Sequence, residues 1–224
     1  MVSQDWDEKA GMPEHIYGQA SIYQSSNDEN PTKVLRNRFY KGAYLCNNNG
    51  CIQFAQDLDP GYDELYMTYN IKFSDNFAAA RAKLPRIAGM SQQGGQPAGA
   101  CVNGYDDFAP LYEFAADWGS VQVKDYVYHV NMWNSSFYRE WFYGAQGRYP
   151  RNCEEVCDIT DTNEGGCGVY GEGDWFTTLQ GGTWYTFTQR VVLNEIDKAN
   201  GFVETFIDGR LVHRRDGLLF TKTP

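Results

Sequence analysis

The chain has 224 residues, 29 acidic against 19 basic side chains, and a formal net charge of −10, a balance that argues against nucleic acid or an anionic membrane surface as a partner. No apolar run approaches the roughly 20 residues that span a bilayer. The length suits one large all-β domain, which buries roughly 70% of its unfolded surface and needs no metal to fold.

Aromatic residues are abundant, with 16 Tyr, 13 Phe and 6 Trp beside 23 Gly. Rings favour strands, and they also stack on sugar faces; a β-rich core alone explains the same composition. Residues 1–33 are polar and irregular, with Pro13 and Pro31, and are expected to form an N-terminal arm packed on the domain and carrying one short strand; the domain proper is expected over 34–224. Residues 34–45 read as a strand and its exit. Over 63–73, Leu65, Met67, Tyr69, Ile71 and Phe73 alternate with Tyr66, Thr68, Asn70 and Lys72, the period of a half-buried strand. Residues 76–83 are Ala-rich and predict a helical turn or two before Pro85.

Residues 121–132 alternate again, with Tyr126, Tyr128 and Val130 opposite Val127 and His129. Residues 144–183, rich in Gly, Asp, Glu and Cys, read as a long loop excursion pinned by disulfides. A third alternating run, 185–194, sets Phe187, Gln189, Val191 and Leu193 against Thr186, Thr188, Arg190 and Val192. Residues 202–214 predict a hairpin turning at Asp208-Gly209. Many strands with turns between them, no internal repeat and no linker imply an all-β, two-sheet antiparallel sandwich.

The six cysteines, Cys46, Cys51, Cys101, Cys153, Cys157 and Cys167, suggest disulfides formed in an oxidising compartment. Cys46 and Cys51 bracket a short Asn-rich loop, while Cys101 is a candidate partner for one of the later three; the pairing stays open. Their spacing resembles no zinc ribbon or finger. No secretion signal is visible at the start Met1-Val2-Ser3, as in a cytosolic protein or in a secreted one whose signal was replaced by a starting Met; the cysteines and the sequon Asn134-Ser135-Ser136 favour the second, an extracellular protein. Asp- and Asn-rich loops leave calcium possible, but no segment has an EF-hand-like ligand pattern, and no other cofactor is implied.

Three stretches together resemble the alginate- and glucuronan-type polysaccharide lyases, family fourteen and its relatives. They are Phe39-Tyr40-Lys41-Gly42 with the strand 64–73, Lys83-Leu84-Pro85-Arg86-Ile87-Ala88-Gly89, and the run from Trp184 to Leu211. The resemblance covers roughly residues 36–215. It implies a jelly roll of the concanavalin-like kind and β-elimination of a uronic-acid polymer, an acidic polysaccharide. That chemistry needs neutralisation of the C6 carboxylate, a base for the C5 proton and an acid for the leaving O4.

By the same resemblance Lys83 is a catalytic lysine, and Tyr126 and Tyr128 match a cleft-lining Tyr-x-Tyr pair. Tyr has an unperturbed pKa near 10 and serves as base or acid once neighbouring cations favour the phenolate. Arg86, Gln93, Gln96 and, more loosely, Gln92 are candidate substrate-binding residues, and Trp118 matches a Trp of the family pattern. Taken singly, a loop lysine is ordinarily a solvated charge, two Tyr on one strand face are ordinary core or rim, and the glutamines an ordinary polar loop. The chain departs from the pattern at Glu113 and Ala115, where the family has a Ser-x-Arg pair, and at Arg86, where it has Gly. It also stops at Pro224, short of the family's last strands: either the domain closes differently, or the chain is a fragment, or the N-terminal arm supplies the missing strand, and an unfilled strand position would leave an open sheet edge suited to self-association. The competing expectation is a non-catalytic carbohydrate-binding or extracellular structural protein on this scaffold. Hydrolysis by paired carboxylates is weaker: Glu154 and Glu155 are adjacent, so their side chains diverge.

Overall fold

The computed structural model describes residues 20–24, 33–39, 41, 58, 61–89, 102, 104, 108–132 and 173–223. The chain divides into two compact units, Met1–Gly61 and Tyr62–Pro224. In the first, β1 (Ala20–Gln24) pairs antiparallel with β2 (Lys33–Asn37).

The second unit contains β3 (Glu64–Lys72), β4 (Ala79–Lys83), β5 (Ala109–Asp117), β6 (Ser120–Tyr128), β7 (Trp175–Gln180), β8 (Trp184–Val192), β9 (Gly201–Ile207) and β10 (Arg210–Leu218). They form two four-stranded antiparallel sheets, ordered β10-β9-β8-β3 and β4-β5-β6-β7. There is no α-helix among the described residues. All six cysteines lie outside them.

The alternating runs behave as their periodicity requires. In β3 every second side chain from Leu65 to Ile71 is half-buried and the residues between are exposed. Its partner β8 buries Phe187, Gln189 and Val191 in the matching register, with Tyr69 opposite Phe187 and Met67 opposite Gln189. The hairpin β9–β10 turns at Asp208 and Gly209, whose φ angles of 51° and 77° are those of a type I′ turn. Asp208 fastens the turn by accepting the Thr186 N–H at 2.8 Å.

The inner faces of the two sheets meet through Tyr112 of β5, whose ring lies edge-on to Phe187 at 4.9 Å and whose hydroxyl bonds Thr205 of β9 at 2.7 Å. Val127, Val191, Val203, Leu218 and Phe220 continue this core. Because β5 and β6 alternate, burying Tyr112, Phe114, Val123 and Val127 between the sheets turns Glu113, Lys124, Tyr126 and Tyr128 to the opposite face.

Two expectations are corrected. Residues 79–83 are not helical but form β4, paired with β5 through Ala82↔Phe114 and Lys83↔Glu113. A helix this short has too few internal bonds to outweigh a free sheet edge, so tertiary pairing overrides the Ala propensity. The loop excursion expected over 144–183 ends earlier than that: Trp175–Gln180 is β7, which pairs with β6.

Candidate functional site

One rung of three residues organises the outer face of the β4-β5-β6 sheet. Lys83, Glu113 and Lys124 are successive cross-strand partners, so their side chains rise from the same face side by side. One Glu113 oxygen accepts from the Lys83 ammonium; the other lies 3.4 Å from Lys124 Nζ and 3.5 Å from Arg81 Nη1. Three cations therefore surround one carboxylate whose side chain is 5% exposed. Burial pushes the Glu113 carboxyl up, but the hydrogen bond and charge of Lys83, with Lys124 and Arg81, outweigh it and leave it below the ordinary range. Burial pushes Lys83 down from its usual value, and Glu113 opposes this.

The tyrosines follow on the same face of β6, Tyr126 opposite Leu111 and Tyr128 opposite Ala109. Lys83 Nζ sits 3.6 Å from the centroid of the Tyr126 ring, and Lys124 Nζ lies 5.1 Å from it. The Tyr126 and Tyr128 hydroxyls are 3.4 Å apart, their rings edge to face at 5.4 Å. Both rings are buried, so the approach lies at the edge strand β4, where Lys83 keeps 38% and Arg81 68% of their side-chain surface. Arg86 interacts electrostatically with Tyr128, which offsets part of the lowering that burial imposes on its guanidinium.

Backbone pairing fixes the segment that carries Lys83 and Arg86. Leu84 N–H donates to the Tyr112 carbonyl at 3.1 Å, and Gly89 exchanges two hydrogen bonds with Phe108. Ile87 N–H donates to the buried Gln189 amide at 2.7 Å. A Cβ on Gly89 would fall 2.1 Å from the Phe108 ring, so only glycine lets this strand-like segment lie so close.

The structure thus brings Lys83, Tyr126, Tyr128 and Arg86 together. It does not bring Trp118. That residue, 79% exposed, forms the β5–β6 turn with φ of 45°, five residues beyond Glu113, roughly 16 Å along the strand and away from the tyrosines. Gln92, Gln93 and Gln96 lie outside the described residues. Sequence reasoning missed Arg81 and Lys124; both stand two residues before a singled-out residue on the same strand face, and the period of two was their signal. Among the described residues no group of three or more His, Cys, Asp or Glu could hold a metal ion.

No protein-family model and no curated protein sequence matches the chain. Solved structures do. Alginate lyase vAL-1 from a Chlorella virus matches over 93% of this chain and 76% of its own, at 12% identity and a TM-score of 0.55. The marine PL-14 alginate lyase from Aplysia kurodai matches over 91% of this chain and 72% of its own, at 18% identity and a TM-score of 0.51. The chain has the fold of these polysaccharide lyases. It spans about half, 53%, of an alginate lyase mutant solved with an alginate tetrasaccharide, at 14% identity and a TM-score of 0.45.

Proposed function

We propose that this chain is a secreted polysaccharide lyase that cleaves a uronic-acid polymer of the alginate or glucuronan type by β-elimination, on a disulfide-pinned jelly roll. The supporting observation is the Lys83 ammonium seated over the Tyr126 ring, with the Tyr128 hydroxyl beside that of Tyr126 and Arg86 close behind. In a chain of net charge −10, this face gathers cations where a polyanion has to bind.

In this reading Lys83 and Arg86 neutralise the C6 carboxylate, which makes the C5 proton acidic. One tyrosine of the pair, as phenolate, takes that proton. The C4–O4 bond breaks as a C4=C5 double bond forms, and a tyrosine hydroxyl returns a proton to the departing O4. An ammonium 3.6 Å from the ring centroid stabilises negative charge on the phenol. Protons and electron pairs balance with these side chains alone.

One observation favours a second reading. Glu113 already engages Lys83, as in a non-catalytic carbohydrate-binding protein that has kept the scaffold. Incubation with alginate, glucuronan and a pectic control separates the two. The lyase reading expects ultraviolet absorbance from an unsaturated uronide with one of the uronate polymers. Binding without that absorbance selects the second reading, and new reducing ends without it indicate hydrolysis.

A further inference from the structure

The Lys83–Glu113–Lys124 rung poses a problem for any acidic ligand. The cation best placed for a uronate carboxylate is already engaged by a carboxylate of the protein. Yet Glu113 is poorly satisfied. Its Oε1 is buried with no hydrogen-bond partner, Lys124 and Arg81 approaching only to 3.4 and 3.5 Å. A buried carboxylate oxygen without a donor is costly, so the pair is held by one good hydrogen bond and the field of the neighbouring cations. Lys83 and Arg81, at the sheet edge, are the two members that solvent and a polymer can reach.

We propose that Glu113 is a specificity-determining residue, an internal carboxylate that an acidic glycan must replace on Lys83 with its own. This deepens the reading of the site as one for uronate polymers and rests on it for the ligand class. In the free protein Glu113 holds Lys83 and Lys124 side by side and screens one charge from the other, with Lys83 over Tyr126. On binding, the glycan carboxylate takes the Lys83 ammonium, and Glu113 is left to Lys124 and Arg81. The exchange lowers affinity for acidic glycans as a class and leaves neutral glycans untouched. It favours polymers whose carboxylates enter one at a time along β4, because each further negative charge meets Glu113.

The test is a calorimetric titration with tetrasaccharides from alginate and from glucuronan, with cellotetraose as the neutral control. Proteins with Glu113 and with Glu113→Gln are compared, both carrying Tyr126→Phe and Tyr128→Phe to prevent turnover. Glu113→Gln should bind the preferred acidic tetrasaccharide about tenfold more tightly, the size of one charge-assisted hydrogen bond, with no change toward cellotetraose. Equal or weaker acidic binding by the folded variant overturns the proposal, as does an absence of acidic binding in both proteins. A second measurement needs no substitution at Glu113. The titration midpoint of its carbon-13-labelled carboxyl should rise when the acidic tetrasaccharide saturates the protein, because Lys83 leaves it; an unmoved midpoint overturns the exchange. Neither readout depends on cleavage, so a protein that exchanges carboxylates but yields no unsaturated product refutes the lyase reading alone.

Discussion

Gln189 reaches from β8 across the interior to Pro110 of β5, its Nε2 donating to that carbonyl at 2.6 Å while its Oε1 accepts the Ile87 N–H at 2.7 Å. One buried amide thereby fastens the β10-β9-β8-β3 sheet to both β5 and the segment that carries Lys83 and Arg86. Gln189→Leu fills the same space but leaves a buried donor and a buried acceptor unpaired. Each costs about 1–3 kcal/mol, so the variant should lose about 2–6 kcal/mol. Urea unfolding checks this: the midpoint should fall with an unchanged slope. Because Ile87 stands next to Arg86, KM for the polymer should rise as well.

In the proposed mechanism the tyrosine pair divides the work of proton transfer, so the two hydroxyls are separable. Tyr126→Phe and Tyr128→Phe keep the rings in their edge-to-face packing and remove only oxygen. At least one should lower kcat by about 10²–10⁴, the contribution of a positioned acid or base. Initial rates of unsaturated-uronide formation measure it. Two variants with wild-type rates would remove both hydroxyls from the mechanism.

Asp125, a buried carboxylate of β6, joins the two sheets. Its carboxylate accepts from Arg215 and lies 3.1 Å from His213 Nε2, and one of its oxygens takes the Asp174 N–H. Burial pushes this carboxyl up, but the neighbouring His213 and the hydrogen bond and charge of Arg215 bring it below its usual value. A depressed folded-state pKa stabilises the protein fully above the unfolded value, about 3.9, and that stability is lost as the pH falls through the lower folded-state value. Asp125→Asn should therefore cost about 3 kcal/mol at pH 7, because it leaves Arg215 and His213 facing a neutral group. Its urea midpoint should also change less than the wild type's between pH 4 and pH 2. A parallel acid limb in both proteins would contradict the assignment.

The β5–β6 turn, Asp117-Trp118-Gly119-Ser120, has positive φ at both central residues, and Trp118 holds 45° with its side chain exposed. A bulky residue is strained there, whereas Asn or Gly is at ease. Trp118→Asn should raise stability by about 0.5–1 kcal/mol in urea unfolding. Polymer affinity should stay unchanged, because the turn lies far from the lysine rung. A loss of affinity would restore Trp118 to the binding surface.

Much of this arrangement was legible in the sequence. The alternation in β3 and β8 defined both their faces, and Asp208-Gly209 marked its hairpin, because period and turn chemistry are local properties. Tyr126 and Tyr128 share a face for the same reason. What escaped depends on partners distant in the chain. Ala79–Lys83 resembles a helix until β5 lies beside it, and Trp175–Gln180 is inconspicuous inside a Gly-rich stretch until it pairs with β6. Glu113 read as an intruding acid, since only the register reveals that Lys83 and Lys124 flank it on neighbouring strands.

Catalysis of β-elimination at the Lys83–Tyr126 face is tested most directly by the ultraviolet absorbance of unsaturated uronide. Wild type and Lys83→Ala, both shown to be folded, are incubated with alginate and with glucuronan. Wild type should give a steady rise on one of the two polymers, and Lys83→Ala should lose at least about 10²-fold of that rate. No rise with either polymer, or an equal rise in the variant, would contradict the assignment.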